Sequence, residues 1–151
     1  MTRRAWMVAA AVSSLVSSLR ADSADDAWEL IASAARALTE ATALPPPNRG
    51  TAAAFLSFFD KRMKDYETLR SNATALVDQA DLQSTLDLVR NEGDDGVRTV
   101  EVDWTLRVSD PATSVVSSQR RQNVKCRVEK QGRKWKIVSL EPIAFFAPPR
   151  A

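Results

Sequence analysis

The side chains of this sequence that could move a proton or hold an anion in a sheltered place gather in its C-terminal third. Arg120 and Gln122 lie on one segment, about Val115 to Lys130, and Ser139 and Glu141 lie on another, Lys134 to Glu141. On each segment the residues of the same parity are apolar: Val124, Cys126 and Val128 on the first, Trp135 and Ile137 on the second. That alternation is a strand with one oily face, so the four polar residues are expected together at one end of it. Glu141 is the weak candidate for a general acid–base, because enclosure beside Phe145 and Trp135 would raise its pKa. An unpaired Arg120 or Glu141 could not stay dry there, so each must pair, meet water or bind something. The competing reading is a β-bulge that flips the parity and turns these side chains outward, or strand ends that protrude into water. No other catalytic set is expected. The chain has no histidine and a single cysteine, Cys126. Triads built on histidine are therefore excluded, as is an intramolecular disulfide. No metal site and no cofactor are expected, and Cys126, on the apolar parity, should be buried and inert.

The elements that would position these residues are organised by the stretch Val100-Glu101-Val102-Asp103-Trp104-Thr105-Leu106-Arg107-Val108. Its odd and even members separate completely into a β-branched and aromatic face and a polar face, which marks one strand of an antiparallel sheet. A preceding strand is expected over Leu82–Asn91, with Leu82, Leu86 and Leu88 on one face. Glu92-Gly93-Asp94-Asp95-Gly96 supplies the turn. A tight hairpin at Gln131-Gly132 would pair Val128 with Trp135, Cys126 with Ile137, Val124 with Ser139 and Gln122 with Glu141. Matching the oily faces then sets Val124 opposite Trp104 and Val128 opposite Val100. On the outer face it sets Asp103 against Lys125 and Glu101 against Arg127. Val138 and Leu140 are expected on that outer face.

Three helices should cover the sheet. The first is expected from a cap at Ser23 or Asp25 to about Thr42, with Ala27, Leu30, Ile31, Ala34, Ala35 and Leu38 at helical spacing. Pro45-Pro46-Pro47 stops it. The second starts near Thr51 and carries Ala52, Phe55, Phe58, Phe59 and Met63. The third starts near Asp65 and buries Tyr66, Leu69, Ala73, Leu76, Val77 and Ala80. The expected class is α+β: three N-terminal helices packed on a curved antiparallel four-stranded sheet.

A chain of 151 residues is long enough for one domain with a self-sufficient core. The charge is unevenly placed. Residues 1–21 hold Arg3, Arg4 and Arg20 and no acid, so without them the formal net charge falls from +2 to −1. Nucleic-acid binding thus has no electrostatic support. Thr2-Arg3-Arg4, the uncharged run Ala5–Leu19 and a small-residue site around Ala21 read as a signal peptide over residues 1–21. The domain then covers 22–151, exported across the cytoplasmic membrane, periplasmic or secreted. The run is short of the roughly 20 apolar residues of a bilayer span, so a membrane contact arises only if the segment is kept.

Several runs resemble the nuclear transport factor 2-like superfamily, the cone-shaped fold shared with ketosteroid isomerase and SnoaL-like cyclases. They are Phe55-Leu56-Ser57-Phe58-Phe59-Asp60, Tyr66-Glu67-Thr68-Leu69-Arg70, Val102-Asp103-Trp104-Thr105-Leu106, Lys134-Trp135-Lys136-Ile137-Val138 and Leu140-Glu141-Pro142-Ile143-Ala144-Phe145-Phe146. The match is greatest to uncharacterised exported bacterial members. The family's catalytic sets do not carry over: Tyr66 is the only tyrosine, and no aspartate lies on the inward parity of the strands. The resemblance therefore implies an architecture and leaves the function open. The leading expectation is an exported, non-catalytic domain that binds a small apolar or amphipathic ligand between helices and sheet. Phe55, Phe59, Tyr66, Trp104 and Trp135 would line that site, with Arg120, Gln122 and Glu141 at its mouth. The alternatives are an isomerase or dehydratase using Glu141, which requires Glu141 to face the cavity, and a membrane-anchored scaffold subunit of a secretion-type assembly. A homodimer through the outer face is a further expectation, although that face is mostly charged.

Overall fold

The computed structural model describes the backbone of residues 2–149 and the side chains of residues 22–149. Helix α1 (Thr2–Ala41), the short α2 (Ala53–Leu56) and α3 (Tyr66–Gln79) precede four strands. These are β1 (Asp81–Gly93), β2 (Val97–Ser109), β3 (Val116–Gln131) and β4 (Lys134–Glu141), and a 3₁₀ turn (Ile143–Phe146) follows them. The strands form one antiparallel sheet in the order β1-β2-β3-β4. Val100, Val102, Trp104, Leu106 and Val108 are all buried, so the central alternation reads directly as the core face.

The first helix departs from expectation at its start. No cap interrupts it at Ser23, and the helix passes through residue 22 without a break. The Ser23 hydroxyl instead donates to the Asp95 carboxylate at 2.8 Å. One position on, the Asn91 side-chain amide donates to the Ala24 carbonyl at 2.8 Å. Asn91 also accepts from the buried Arg98 guanidinium at 2.8 Å, so the helix is latched to the β1–β2 hairpin by a satisfied polar network. That hairpin needs Gly93. Its φ is 142°, and a Cβ there would stand 2.3 Å from the Val97 carbonyl oxygen. Asp94 organises the same turn by accepting from the backbone N–H groups of Gly96 and Val97, which hold its carboxyl below the usual range. Whether residues 1–21 act as a signal peptide concerns side chains outside the described ones. Among the described residues no helix is long and apolar enough to cross a membrane.

At the other end of α1, Thr42 accepts from the Leu82 backbone N–H at 3.0 Å, tying helix to sheet. The proline-containing connector is fixed by Arg49, whose Nε donates to the Val77 carbonyl at 2.9 Å. Its Nη2 donates to the Ala80 carbonyl and pairs with Asp81 at 2.8 Å. A guanidinium thus satisfies carbonyls at the C-terminal end of α3 that have no partner within the helix.

The second helix is shorter than expected. Its stripe stops because residues 58–60 leave helical geometry to pair with the edge of β4. The Ile137 N–H donates to the Phe58 carbonyl at 2.9 Å, and the Asp60 N–H donates to the Ile137 carbonyl at 2.8 Å. Phe55, Phe59 and Met63 are nonetheless buried as the spacing implies. The third helix carries its expected stripe from Tyr66 to Ala80, all buried.

The register differs from expectation in two steps. The hairpin loop is Gly132-Arg133, flanked by the pair Gln131–Lys134, one residue later than expected; Gly132 takes φ 66°. Trp135 is therefore opposite Lys130, and Ile137 is opposite Val128. Farther along, the pairing shifts between Arg127 and Val128, so Arg127 faces Ser139, Cys126 faces Leu140 and Lys125 faces Glu141. Val138 is the extra residue of a β-bulge, and every side chain after it changes face. Against β2, β3 lies two residues from the expected register: Val124 opposes Val102, Cys126 opposes Val100 and Glu101 opposes Lys125. Glu101, half-buried, and Lys125, exposed, meet at 3.6 Å on the outer face.

Cys126 is fully buried in this sheet, and burial pushes its thiol up from 9.0 to about 12. The folded state therefore keeps a proton that the unfolded chain loses above about pH 9. The stability it confers is complete below that pH and is lost as pH rises toward about 12. Urea titrations at successive pH values should show the Cys126→Ala variant losing less stability than the parent protein between those limits. Under native conditions at neutral pH, thiol reagents should leave Cys126 unmodified.

Candidate functional site

The interior of the cone, where the sequence places a ligand, is filled by the protein's own aromatic rings. Trp104 rises from β2 with its indole N–H donating to the Ser84 hydroxyl at 3.0 Å, so this buried donor needs no ligand. The Phe146 ring lies 5.1 Å from it edge-on, and Phe145 lies 5.9 Å from it. Phe55 of α2 stands 5.3 Å from Phe146 and 4.9 Å from Phe59. All five rings are nearly or fully excluded from water. The apolar tail after Pro142 thus turns back inward as a 3₁₀ turn and occupies the space between helices and sheet.

The residues expected to form a ligand site divide into three groups. Phe55, Phe59, Tyr66 and Trp104 are core, and the Trp135 side chain is also buried, at 8% exposure. Arg120 keeps the concave parity, opposite Leu106, and is half-buried. Its Nη1 donates to the Phe145 carbonyl at 2.8 Å, and burial pushes its pKa down. Its polar partner is therefore the tail rather than Glu141. Gln122 shares that parity, opposite Trp104, yet it is exposed where β3 runs beyond the end of β4.

Ser139 and Glu141 do not join Arg120 and Gln122. The bulge at Val138 turns them to the outer side and brings Leu140 inward, where it is buried. Glu141 is exposed, so the geometric condition set for it as an acid–base group is not met. Of the expectations for that parity, the bulge is found on β4, whereas on β3 the alternation is kept and Gln122 protrudes past the end of the neighbouring strand. Leu140, expected on the outer face, is core instead, which leaves Val138 as that face's one half-buried apolar residue on β4.

A concave surface that the sequence did not reveal lies between α1 and the β3–β4 hairpin. It is a groove of about 540 Å³ with Leu30 and Phe58 as apolar walls and the edge of β4 at Trp135 beneath them. Arg133, Lys134 and Lys136 stand on the hairpin side, with Asp26 and Glu29 across on the helix. Glu29 is engaged by Arg36 at 3.3 Å and Ser33 at 3.0 Å, and Lys136 donates to the Ser57 carbonyl. The remaining charges, Arg133, Lys134 and Asp26, have no ion-pair partner among the described residues. The hairpin is braced from below by Asp60, which accepts from Gln131 at 2.7 Å. Donation from the Arg62 backbone N–H, then from Gln131, then from the Arg62 side chain holds the Asp60 carboxyl down at about 2. The signal for this groove was the alternation of Lys134, Trp135 and Lys136 on an edge strand, which by itself marks only an amphipathic edge. Among the described residues no group of acids and cysteine is arranged to hold a metal ion.

Because Phe146 is fully buried, with the rings of Phe55, Trp104 and Phe145 against it, its truncation leaves a void that a rigid shell cannot close. Phe146→Ala should lower the unfolding free energy by about 3–5 kcal/mol, read from urea denaturation. The same variant should become a host for benzene-sized solutes, seen as a rise in melting temperature on their addition.

No family model and no curated relative matches the sequence. Solved structures do resemble the fold. One is a protein from Novosphingobium aromaticivorans provisionally assigned as an aromatic ring hydroxylase. It aligns at a TM-score of 0.63 and 9% identity, over 79% of this chain and 86% of that one. A protein of unknown function with a cystatin-like fold from Nostoc punctiforme aligns at 0.53 and 18% identity, over 76% and 85%. An NTF-2-like protein of unknown function from Shewanella oneidensis aligns at 0.53 and 11% identity, over 77% and 94%. At such identities the likeness speaks for architecture alone. Three helices on a four-stranded antiparallel sheet, closed by an inward-turned tail, give this chain the nuclear transport factor 2-like, cystatin-like cone fold.

Proposed function

We propose that this is an exported, non-catalytic binding domain that takes amphipathic ligands in the groove between α1 and the β3–β4 hairpin. The observation that carries the reading is a contrast. The cone interior is packed with Trp104, Phe55, Phe145 and Phe146, whereas the groove is open and has the size of a small-molecule site, roughly 300–1,000 Å³. Its apolar walls offer burial to a hydrocarbon or aromatic body, and Arg133 and Lys134 offer a counter-charge to an anionic head. The absence of chemistry rests on the residues themselves. The chain has no histidine, and Glu141, the one acid–base candidate, stands in water at an ordinary strand end. Export rests on the charge pattern of the first 21 residues, with arginines before an uncharged run and every acid after it.

A fluorescence titration of the full chain with dodecanoate, below its micelle concentration, tests the reading. Dodecanoate should produce a saturable change in tryptophan emission, and dodecyltrimethylammonium should bind at least about tenfold more weakly. Phe58→Ser should remove the response while the protein still melts cooperatively. If neither amphiphile changes the emission, and calorimetry detects no heat of binding, the groove is not a ligand site.

A further inference from the structure

The groove has a backbone floor as well as side-chain walls, and this decides what kind of molecule suits it. Strand β4 is an edge strand, and its outer edge is engaged at one residue by the chain itself. The N–H and carbonyl of Ile137 both point away from β3 and bond to residues 58 and 60. Backbone groups two residues apart on a strand point the same way, so the N–H and carbonyl of Trp135 also face the edge. The hairpin agrees: Gln131 and Lys134 flank a two-residue loop and form the hydrogen-bonded pair. Lys130 with Trp135 is then a pair that makes no hydrogen bonds to each other. Toward Trp135 the covering segment coils into α2, with the Ser57 N–H bonded back to the Ala53 carbonyl, so the internal pairing stops after one bridge. The ladder is left incomplete at the residue that floors the groove.

We infer that the occupant is an extended, carboxylate-bearing peptide segment that adds to the edge of β4 at Trp135, with α1 as its second wall. This inference rests on the groove being the binding site proposed above. An extended segment would return a donor and an acceptor to the Trp135 backbone, as strand addition does at other open edges. Alternate side chains of such a segment point to opposite sides. An apolar one can lie against Leu30 and Phe58, and an acidic one can reach Arg133 and Lys134 at the hairpin tip. Charge selects the sign of the partner. The two unpaired cations at the tip face a single unpaired acid, Asp26, so a basic segment would be repelled where an acidic one is held. A small amphiphile can use the apolar walls and the cations, but it has no partner to offer the strand edge.

The test is amide-resolved NMR of the full chain with three probes: acetyl-Glu-Leu-Glu-Leu-Glu-amide, the same peptide with Lys in place of Glu, and dodecanoate. The acidic peptide should bind saturably and slow hydrogen exchange at the Trp135 amide by about tenfold or more at saturation. The double variant Arg133→Glu, Lys134→Glu should weaken it by about tenfold with the melting transition unchanged. Binding of dodecanoate with no response to either peptide overturns the strand addition and leaves the groove as a small-ligand site. Acidic-peptide binding without protection of the Trp135 amide, or equal binding of the lysine peptide, also overturns it. If none of the three binds, both this inference and the function it rests on fall.

Discussion

The contact on which the rest of this structure depends is the insertion of Phe145 and Phe146 between Trp104 and Phe55. A sheet with one apolar face covered by three helices leaves a space beneath the lids, and that space must hold something apolar or collapse. Here it holds the chain's own C-terminal turn. Two phenylalanines bury on the order of 150–250 Å² each, more than any aliphatic side chain of the core could place in that space. Edge-on ring geometry adds direction to that burial, because the positive rim of one ring meets the negative face of the next. The Arg120 guanidinium then holds the Phe145 carbonyl, so the turn is fixed by one hydrogen bond as well as by packing.

Filling the cone moves any recognition to its outside. The interior polar groups near the rings are satisfied internally, Trp104 by Ser84 and Arg120 by the tail. At the rim, groups stay open to a partner: cations on the β3–β4 hairpin, and a strand edge that the chain covers at Ile137 and not at Trp135. The same segment that shortens α2 produces this arrangement. By leaving helical geometry at Phe58 to bridge Ile137, it protects part of an exposed edge and forms one wall of the groove beside the rest.

The layers of the fold were legible in the sequence because each rests on a period. The alternation from Val100 to Val108 and the helical stripes of Ile31, Leu38, Leu69, Leu76 and Val77 all became core. The register was less legible, because it depends on where a turn closes and where a strand carries an extra residue. Gly132 sits in the hairpin loop either way, and a shift of one position in the loop costs little in the sequence pattern while changing every pair. The bulge at Val138 has no residue signature, since valine fits a regular strand equally well. The chemistry left it open as one expectation, because regular alternation turns Glu141 inward and Leu140 outward, which a polar rim or a wet strand end could also accommodate. The groove was illegible for a different reason. It is made of Leu30, Phe58 and Trp135 from three separate elements, and only their packing brings them together. The aromatic tail was visible as an apolar run, but its role as the filling of the cone follows from the direction of the chain after Pro142.

A nuclear Overhauser spectrum of the protein in solution tests the self-filled cone most directly. Strong cross-peaks should connect the Trp104 indole to the ring protons of Phe146 and Phe145, and the Phe146 ring to that of Phe55. A tail whose ring protons show no contact with Trp104, with an indole N–H in rapid exchange with water, would contradict the account.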